Sequence, residues 1–212
     1  MDSVPIIETW YLSEYLRELK FLEEVSVVVD IGAHIGTFSI FAATRFKEAK
    51  VYAFEPEPSN FKLLKENIQI NKLEERITPF NLAVGGGTGK QIELHYHPTS
   101  LASSSTVYSM RTEETASAVK VNSISLKDIF QENKLSHCDL LKMDCEGAEY
   151  EILFSTPQRV LNKIKSISLE AHGGGDIPEL KSHLEARGFH VKLARIFGFL
   201  GMPLLAAQRQ TG

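Results

Sequence analysis

Residues 28–37 read Val-Val-Asp-Ile-Gly-Ala-His-Ile-Gly-Thr, a strand-forming run that passes into two glycines four positions apart and then into a helix. The valines of residues 25–29 fit a strand covered on both faces. Gly32 and Gly36 remove side chains where the backbone must turn sharply and approach a ligand or the next helix. Over residues 36–47, Phe38, Ile40, Phe41, Ala42 and Phe46 are spaced so that most can face a sheet. A second strand, residues 50–54, follows at once, which predicts an α/β sheet.

The acidic residues on either side of this turn narrow the ligand. Asp30 stands at the carboxyl end of the first strand, and Glu55 closes the second, fourteen residues after Phe41. A carboxylate there lies close to the distance at which it reaches the two ribose hydroxyls of a nucleotide, and ionised it accepts both protons. A pyrophosphate loop needs G-x-G-x-x-G, whereas Gly32-Ala33-His34-Ile35-Gly36 is G-x-x-x-G with a bulky imidazole inside. Asp30 suits a cationic ligand group better than a diphosphate. S-adenosylmethionine, with an ammonium, a sulfonium, a ribose and no phosphate, matches those charges better than NAD does.

The 212 residues suffice for one α/β domain, read as spanning 1–212 with a helical segment at 1–24 and the core from 25 onward. A net charge of −4 leaves no global basic footprint for nucleic acid. Two cysteines, Cys138 and Cys145, fit buried thiols in a reducing compartment. The first residues lack a secretory pattern, and the longest apolar stretch, residues 196–207, is broken by Gly198, Gly201 and Pro203, well short of the ~20 residues a membrane helix needs. The expectation is a soluble cytoplasmic protein of open oligomeric state.

Along the chain, residues 7–24 carry a helical apolar stripe that would cover the sheet or the cofactor cleft, and Pro58 opens a helix reaching about residue 71. Residues 76–84 read as a third strand. The glycines of 85–89 form a turn, residues 91–96 alternate as a strand, and 118–122 can pair with it; the Ser/Thr-rich segment 98–115 reads as a mobile loop over the site. Then come a strand at 139–143, a helix at 146–154, a strand at 166–171, and a helix at 177–187 whose Asp176 and Glu179 make a capping box. Residues 189–195 and 203–208 finish as an antiparallel hairpin at the sheet edge.

Five segments together carry a family likeness: residues 29–36, Ala53-Phe54-Glu55-Pro56, Leu64-Lys65-Glu66-Asn67, Asn81-Leu82-Ala83-Val84-Gly85, and Leu141-Lys142-Met143-Asp144-Cys145-Glu146-Gly147-Ala148-Glu149. In this order the chain resembles the FkbM family of S-adenosylmethionine-dependent methyltransferases. The resemblance implies a Rossmann-like, class I methyltransferase three-layer sandwich. Its sheet would have seven mostly parallel strands with an antiparallel last strand, and it would carry a small β-hairpin insertion. It also implies O-methylation of a hydroxyl on a small molecule or carbohydrate. Asp30, Gly32, Ala33, His34, Gly36 and Thr37 would hold the methionine end, Glu55 the ribose, and Asn81 and Ala83 would border the adenine. The segment from Asp144 to Glu149 would sit where the methyl group leaves.

Each residue also has a plainer reading. Asp30 can cap the turn, Glu55 can be a solvated strand end, and Asp144, Glu146 and Glu149 can complement the positive end of a helix, which for Glu149 is the preferred reading. Ser103 to Ser105 resemble a family serine motif but also suit a loop. Among the histidines, His34 lines the turn and His172 stands where substrate would be; His95, His97, His137, His183 and His190 have no motif around them. A base must take the acceptor's proton. Asp144, Glu146, Glu170 and His172 are the candidates, with Asp144 and His172 preferred as catalytic residues. Their chemistry allows a divalent metal on Asp144, Glu170 and His172, but no spacing demands one and none is expected. Rival readings are an RNA methyltransferase and a non-catalytic S-adenosylmethionine-binding protein.

Overall fold

The computed structural model describes residues 14–16, 18–19, 22, 24–96, 104–105, 117–173, 175–195 and 203–209. Two apolar strands lie at its centre, β1 (Val27–Ile31) and β8 (Cys138–Met143), the latter buried at every position. Around them the seven-stranded sheet runs β10-β11-β9-β8-β1-β2-β3, with β2 (Lys50–Phe54), β3 (Ile77–Phe80), β9 (Ile164–Glu170), β10 (Phe189–Arg195) and β11 (Pro203–Arg209). Pairings within β3-β2-β1-β8-β9 are parallel, and only β11 runs against its neighbours, as the last strand was expected to do.

Because strand side chains alternate between faces, the residues of β1 and β8 sort by parity. Val28 and Leu140 join the core under α1 (Thr37–Arg45) and α2 (Pro58–Ile70). Val29, Ile31, Leu141 and Met143 join the opposite core, under α3 (Leu126–Glu132), α4 (Glu149–Ser155), α5 (Gln158–Leu161) and α6 (Ile177–Glu185). The result is three layers. Asp30 and Lys142 share the α1 face and are register partners on adjacent strands, which places two opposite charges side by side inside the protein.

The third strand departs from expectation. It ends at Phe80, and residues 83–85 form β4 (Ala83–Gly85), which joins a separate sheet beside Ser123 to Ser125. β3 is an edge strand and holds Pro79, which has no N–H to give to a ladder, so the chain is free to leave there. The insertion is correspondingly larger than a hairpin. β5 (Gln91–Tyr96) and β7 (Ser117–Ser125) pair antiparallel as expected, and β4 and β6 (Ser104–Ser105) extend them to four strands in the order β4-β7-β5-β6.

One helix boundary also shifts. The helix expected from residue 146 starts at Glu149, because Glu146 and Gly147 take left-handed φ values of 55° and 105° that no α-helix tolerates. Of the expected helix at 7–24, residues 14–16 form a single 3-10 turn and most of the rest lies outside the described residues, as does the 98–115 loop apart from β6. The capping residue Asp176 accepts from the Glu179 amide as its position foretold. Among the described residues, no helix is long and apolar enough to cross a membrane.

Candidate functional site

The carboxyl ends of β1, β2, β8 and β9 form one rim. At β1 the chain turns through Gly32, His34 and Gly36 with φ of 74°, 52° and 90°. The Gly32 and Ala33 amides both donate to the Phe54 carbonyl at 3.0 Å, and the Asn67 side-chain amide, from α2, donates to the Ile35 carbonyl at 2.8 Å. A Cβ on Gly32 would lie 1.7 Å from the carbonyl oxygen of Asp144, so this glycine exists to let two strand ends touch. Gly36 precedes α1, whose N-terminus carries no side-chain cap, and Thr37 is its first residue.

Glu55 reaches into this turn from β2. One carboxylate oxygen accepts from the His34 amide at 2.8 Å and the other from the Glu57 amide at 2.9 Å. Burial pushes its carboxyl up to about 7, against the pull of those two amides. Asn81 lies beyond the end of β3 and spends its side-chain amide on the Glu55 and Pro56 carbonyls, both at 2.9 Å. Ala83 is buried in β4, paired with Ser123, so it belongs to the second sheet rather than to the third strand.

Asp30 sits beneath the turn, fully buried, with one oxygen accepting from Ser39 at 2.6 Å and the other 3.2 Å from Lys142 Nζ. Lys142 also donates to the Gly32 carbonyl at 2.9 Å and stands 3.7 Å from Asp144 Oδ2. Burial works to lower the lysine's pKa, but the Asp30 and Asp144 charges overcome it and hold the ammonium above its ordinary range. The acidic rim formed by Asp30, Glu55 and Asp144 is therefore neutralised in part from within.

Beside Lys142, Asp144, Glu146, Glu170 and His172 gather at the ends of β8 and β9. His172 Nε2 lies 3.7 Å from Asp144 Oδ1, 3.7 Å from Glu146 Oε2 and 3.8 Å from Glu170 Oε1. Its Nδ1 is 3.0 Å from Glu149 Oε1. Glu149 is fully buried and also accepts from the Cys145 and Gly147 amides at 2.9 Å each, so it holds the turn, the imidazole and the start of α4 together. Burial alone would lower the imidazole, yet Glu149, Asp144 and Glu146 raise it to about 9. Asp144 is pushed up by burial but held below the usual carboxylate range by Lys142 and His172. Burial and the Asp144 charge raise Glu170 to about 7.

Tyr15 closes the cluster. Its hydroxyl donates to Asp144 Oδ2 at 2.8 Å and lies 3.5 Å from Glu170 Oε2, while its ring packs edge-on against Phe38. Lys142, Tyr15, Asn67 and Glu149 are the residues whose local roles went unread. Lys142, Asn67 and Glu149 carried a signal, as members of the ordered segments.

A family model described as the methyltransferase FkbM domain matches residues 30–191. Methyltransferase sdnD of Sordaria araneosa is 28% identical over 206 residues, covering 84% of this chain and 79% of its own. Hexuronic acid methyltransferase AglP of Haloferax volcanii is 24% identical, covering 84% and 69%. The 31-O-demethyl-FK506 methyltransferase FkbM of Streptomyces tacrolimicus is 24% identical, covering 93% and 86%. Two solved structures share the fold. Methyltransferase FkbM from Methylobacillus flagellatus has a TM-score of 0.64 at 20% identity over 94% of this chain and 47% of its own. TrmK of M. capricolum, in complex with S-adenosylhomocysteine, has 0.60 at 14% identity over 95% and 69%. With the strand order and the ordered segments already in place, the match over residues 30–191 means that this chain belongs to the FkbM methyltransferase family.

Proposed function

We propose that the protein is an S-adenosylmethionine-dependent O-methyltransferase acting on a hydroxyl of a small molecule or sugar. One observation carries this reading: the glycine turn held by Glu55 and a hydroxyl-accepting carboxylate cluster adjoin on one rim. At that turn, each Glu55 oxygen accepts one backbone amide, so lone pairs remain for two ribose hydroxyls. The uncapped N-terminus of α1, from Gly36 to Ser39, suits a carboxylate such as that of a methionine group. Gly32, Ala33 and His34 would line the same end, Asp30 would support it from beneath, and Asn81 and Ala83 would border the base.

When bound, S-adenosylmethionine supplies the methyl group, whose carbon bonds to the acceptor oxygen as its bond to sulfur breaks. The protein's share is to hold the hydroxyl in line and take its proton, since well-oriented reactants at about 3 to 3.5 Å gain much of the rate from position alone. Asp144 is the proton acceptor in this reading. Its Oδ2 already takes a hydroxyl, that of Tyr15, at 2.8 Å. His172 and Glu170 flank it. Among the relatives, the name 31-O-demethyl-FK506 methyltransferase fits a hydroxyl acceptor, and the name hexuronic acid methyltransferase fits a sugar substrate.

The test is transfer of an isotope-labelled methyl group to a pooled metabolite and glycan extract, with Asp144→Asn as the comparison. Label should enter base-stable methyl ethers and fall by roughly 100-fold or more in the variant. Label in RNA, with salt-dependent retention on heparin, would favour the RNA reading. Cofactor binding without transfer to any pool would favour a binding protein.

A further inference from the structure

The orientation of the four side chains at the ends of β8 and β9 is more specific than an acidic patch. Asp144 turns Oδ2 to the Tyr15 hydroxyl and Oδ1 to His172 Nε2; Glu170 turns Oε2 to the same hydroxyl and Oε1 to the same nitrogen. Each carboxylate is thus split between a hydroxyl side and an imidazole side. On the imidazole side the atoms stand at 3.7 and 3.8 Å, beyond hydrogen-bond length, and Glu146 Oε2 adds a third oxygen at 3.7 Å. A first-row divalent cation with bonds of roughly 2.1 Å keeps its ligand atoms about 3 to 4.2 Å apart. The Asp144, Glu170 and His172 ligand atoms all lie within 4.8 Å of one another, so modest closure would complete such a set.

A second feature lies on the far side of the imidazole from those three oxygens. The His172 side chain is nine-tenths buried, and its Nδ1 is held at 3.0 Å by the fully buried Glu149. A carboxylate on Nδ1 holds the ring so that Nε2 faces the oxygens, the arrangement that supports metal-bound histidines, and a bound cation would take the place of the Nε2 proton. Among the described residues, nothing meets that Nε2 at hydrogen-bond length.

We propose that Asp144 Oδ1, Glu170 Oε1 and His172 Nε2 bind one divalent first-row cation, with Glu146 beside them, on the acceptor side of the site. One nitrogen and several carboxylate oxygens suit Mn²⁺ or a neighbouring metal better than an all-oxygen ion such as Ca²⁺. The cation would leave Oδ2 and Oε2 on the Tyr15 side, where an acceptor hydroxyl would take the place of the tyrosine's. That use rests on the methyltransferase reading; the binding itself does not.

The experiment titrates the full chain, without cofactor, with Mn²⁺ and follows the free ion by electron paramagnetic resonance. One ion per chain should bind, and pulsed spectra should carry a nitrogen-14 coupling from the imidazole. His172→Ala and Glu170→Gln should each weaken binding by more than about tenfold while keeping the wild-type circular dichroism spectrum. The nitrogen signal needs no variant, so a misfolded mutant cannot spare the proposal. No stoichiometric binding, or binding without nitrogen coupling, overturns it. Calorimetry with S-adenosylhomocysteine on the same sample separates the two ideas: Mn²⁺ binding without nucleoside binding sinks the methyltransferase reading alone, and the reverse sinks the metal alone.

Discussion

Replacing Lys142 with methionine removes one charge and keeps most of the stem volume, so it isolates the ion pair beneath the cofactor turn. The lysine side chain is 4% exposed and Asp30 is fully buried; after the change Asp30 keeps only the Ser39 hydroxyl. The Gly32 carbonyl loses its donor and Asp144 a neighbouring cation. Breaking a buried pair by deleting one partner costs about 3 to 5 kcal/mol, because the other charge stays in the interior uncompensated. For a chain of this size each kcal/mol moves the melting temperature by about 2 to 4 °C, so a fall of roughly 6 to 20 °C is expected. Urea unfolding followed by circular dichroism reads the free energy directly. Adding Asp30→Asn to the variant removes the stranded charge, so the double mutant should regain at least half of the loss. A Lys142→Met protein within about 1 kcal/mol of wild type, or a double mutant less stable than either single one, would refute the reasoning.

Three further predictions follow from the same geometry. The Glu55 carboxyl, raised to about 7, binds its proton more tightly folded than unfolded, so its contribution to stability is complete below its ordinary value near 4.5 and is lost as pH rises through 7. Glu55→Gln should therefore flatten the pH dependence of urea unfolding across that window by up to about 3 kcal/mol, and an unchanged slope would place the titration elsewhere. Gly32→Ala should destabilise the protein by more than about 2 kcal/mol, since a Cβ would meet the Asp144 carbonyl at a positive φ, and near-wild-type unfolding would disprove that contact. Glu57 caps α2 by accepting from the Ser59 and Asn60 amides, so Glu57→Ala should cost about 1 kcal/mol in the same assay.

The strand, turn and helix at residues 28–45 were legible because each depends on neighbours in sequence: an apolar run, two glycines, and an apolar helical face. Glu55 was legible for a related reason, since its distance from the turn is set by one helix and one strand. Lys142 was not. Its partner is Asp30, and the two meet only because β1 and β8 lie side by side with those residues on the same face, a fact no local pattern encodes. Tyr15 presented an apolar position in a stripe, and nothing in a stripe says which carboxylate its hydroxyl will meet. His172 and Glu149, 23 residues apart, needed the adjacency of β8 and β9 before their contact could be read. The split of residues 76–84 into β3 and β4 was hidden by an unbroken strand-like pattern. Pro79 was the available clue, because it suits an edge strand from which the chain can depart.

The central claim is that the cradle at the ends of β1 and β2 holds a nucleoside through Glu55. Calorimetric titration of S-adenosylhomocysteine into wild type and Glu55→Ala tests it most directly, with NAD as the control ligand. Wild type should bind one equivalent, the variant should lose more than about tenfold in affinity while its circular dichroism spectrum is retained, and NAD should give no heat. Equal affinity in the two proteins, or binding of NAD at the same site, would contradict the account.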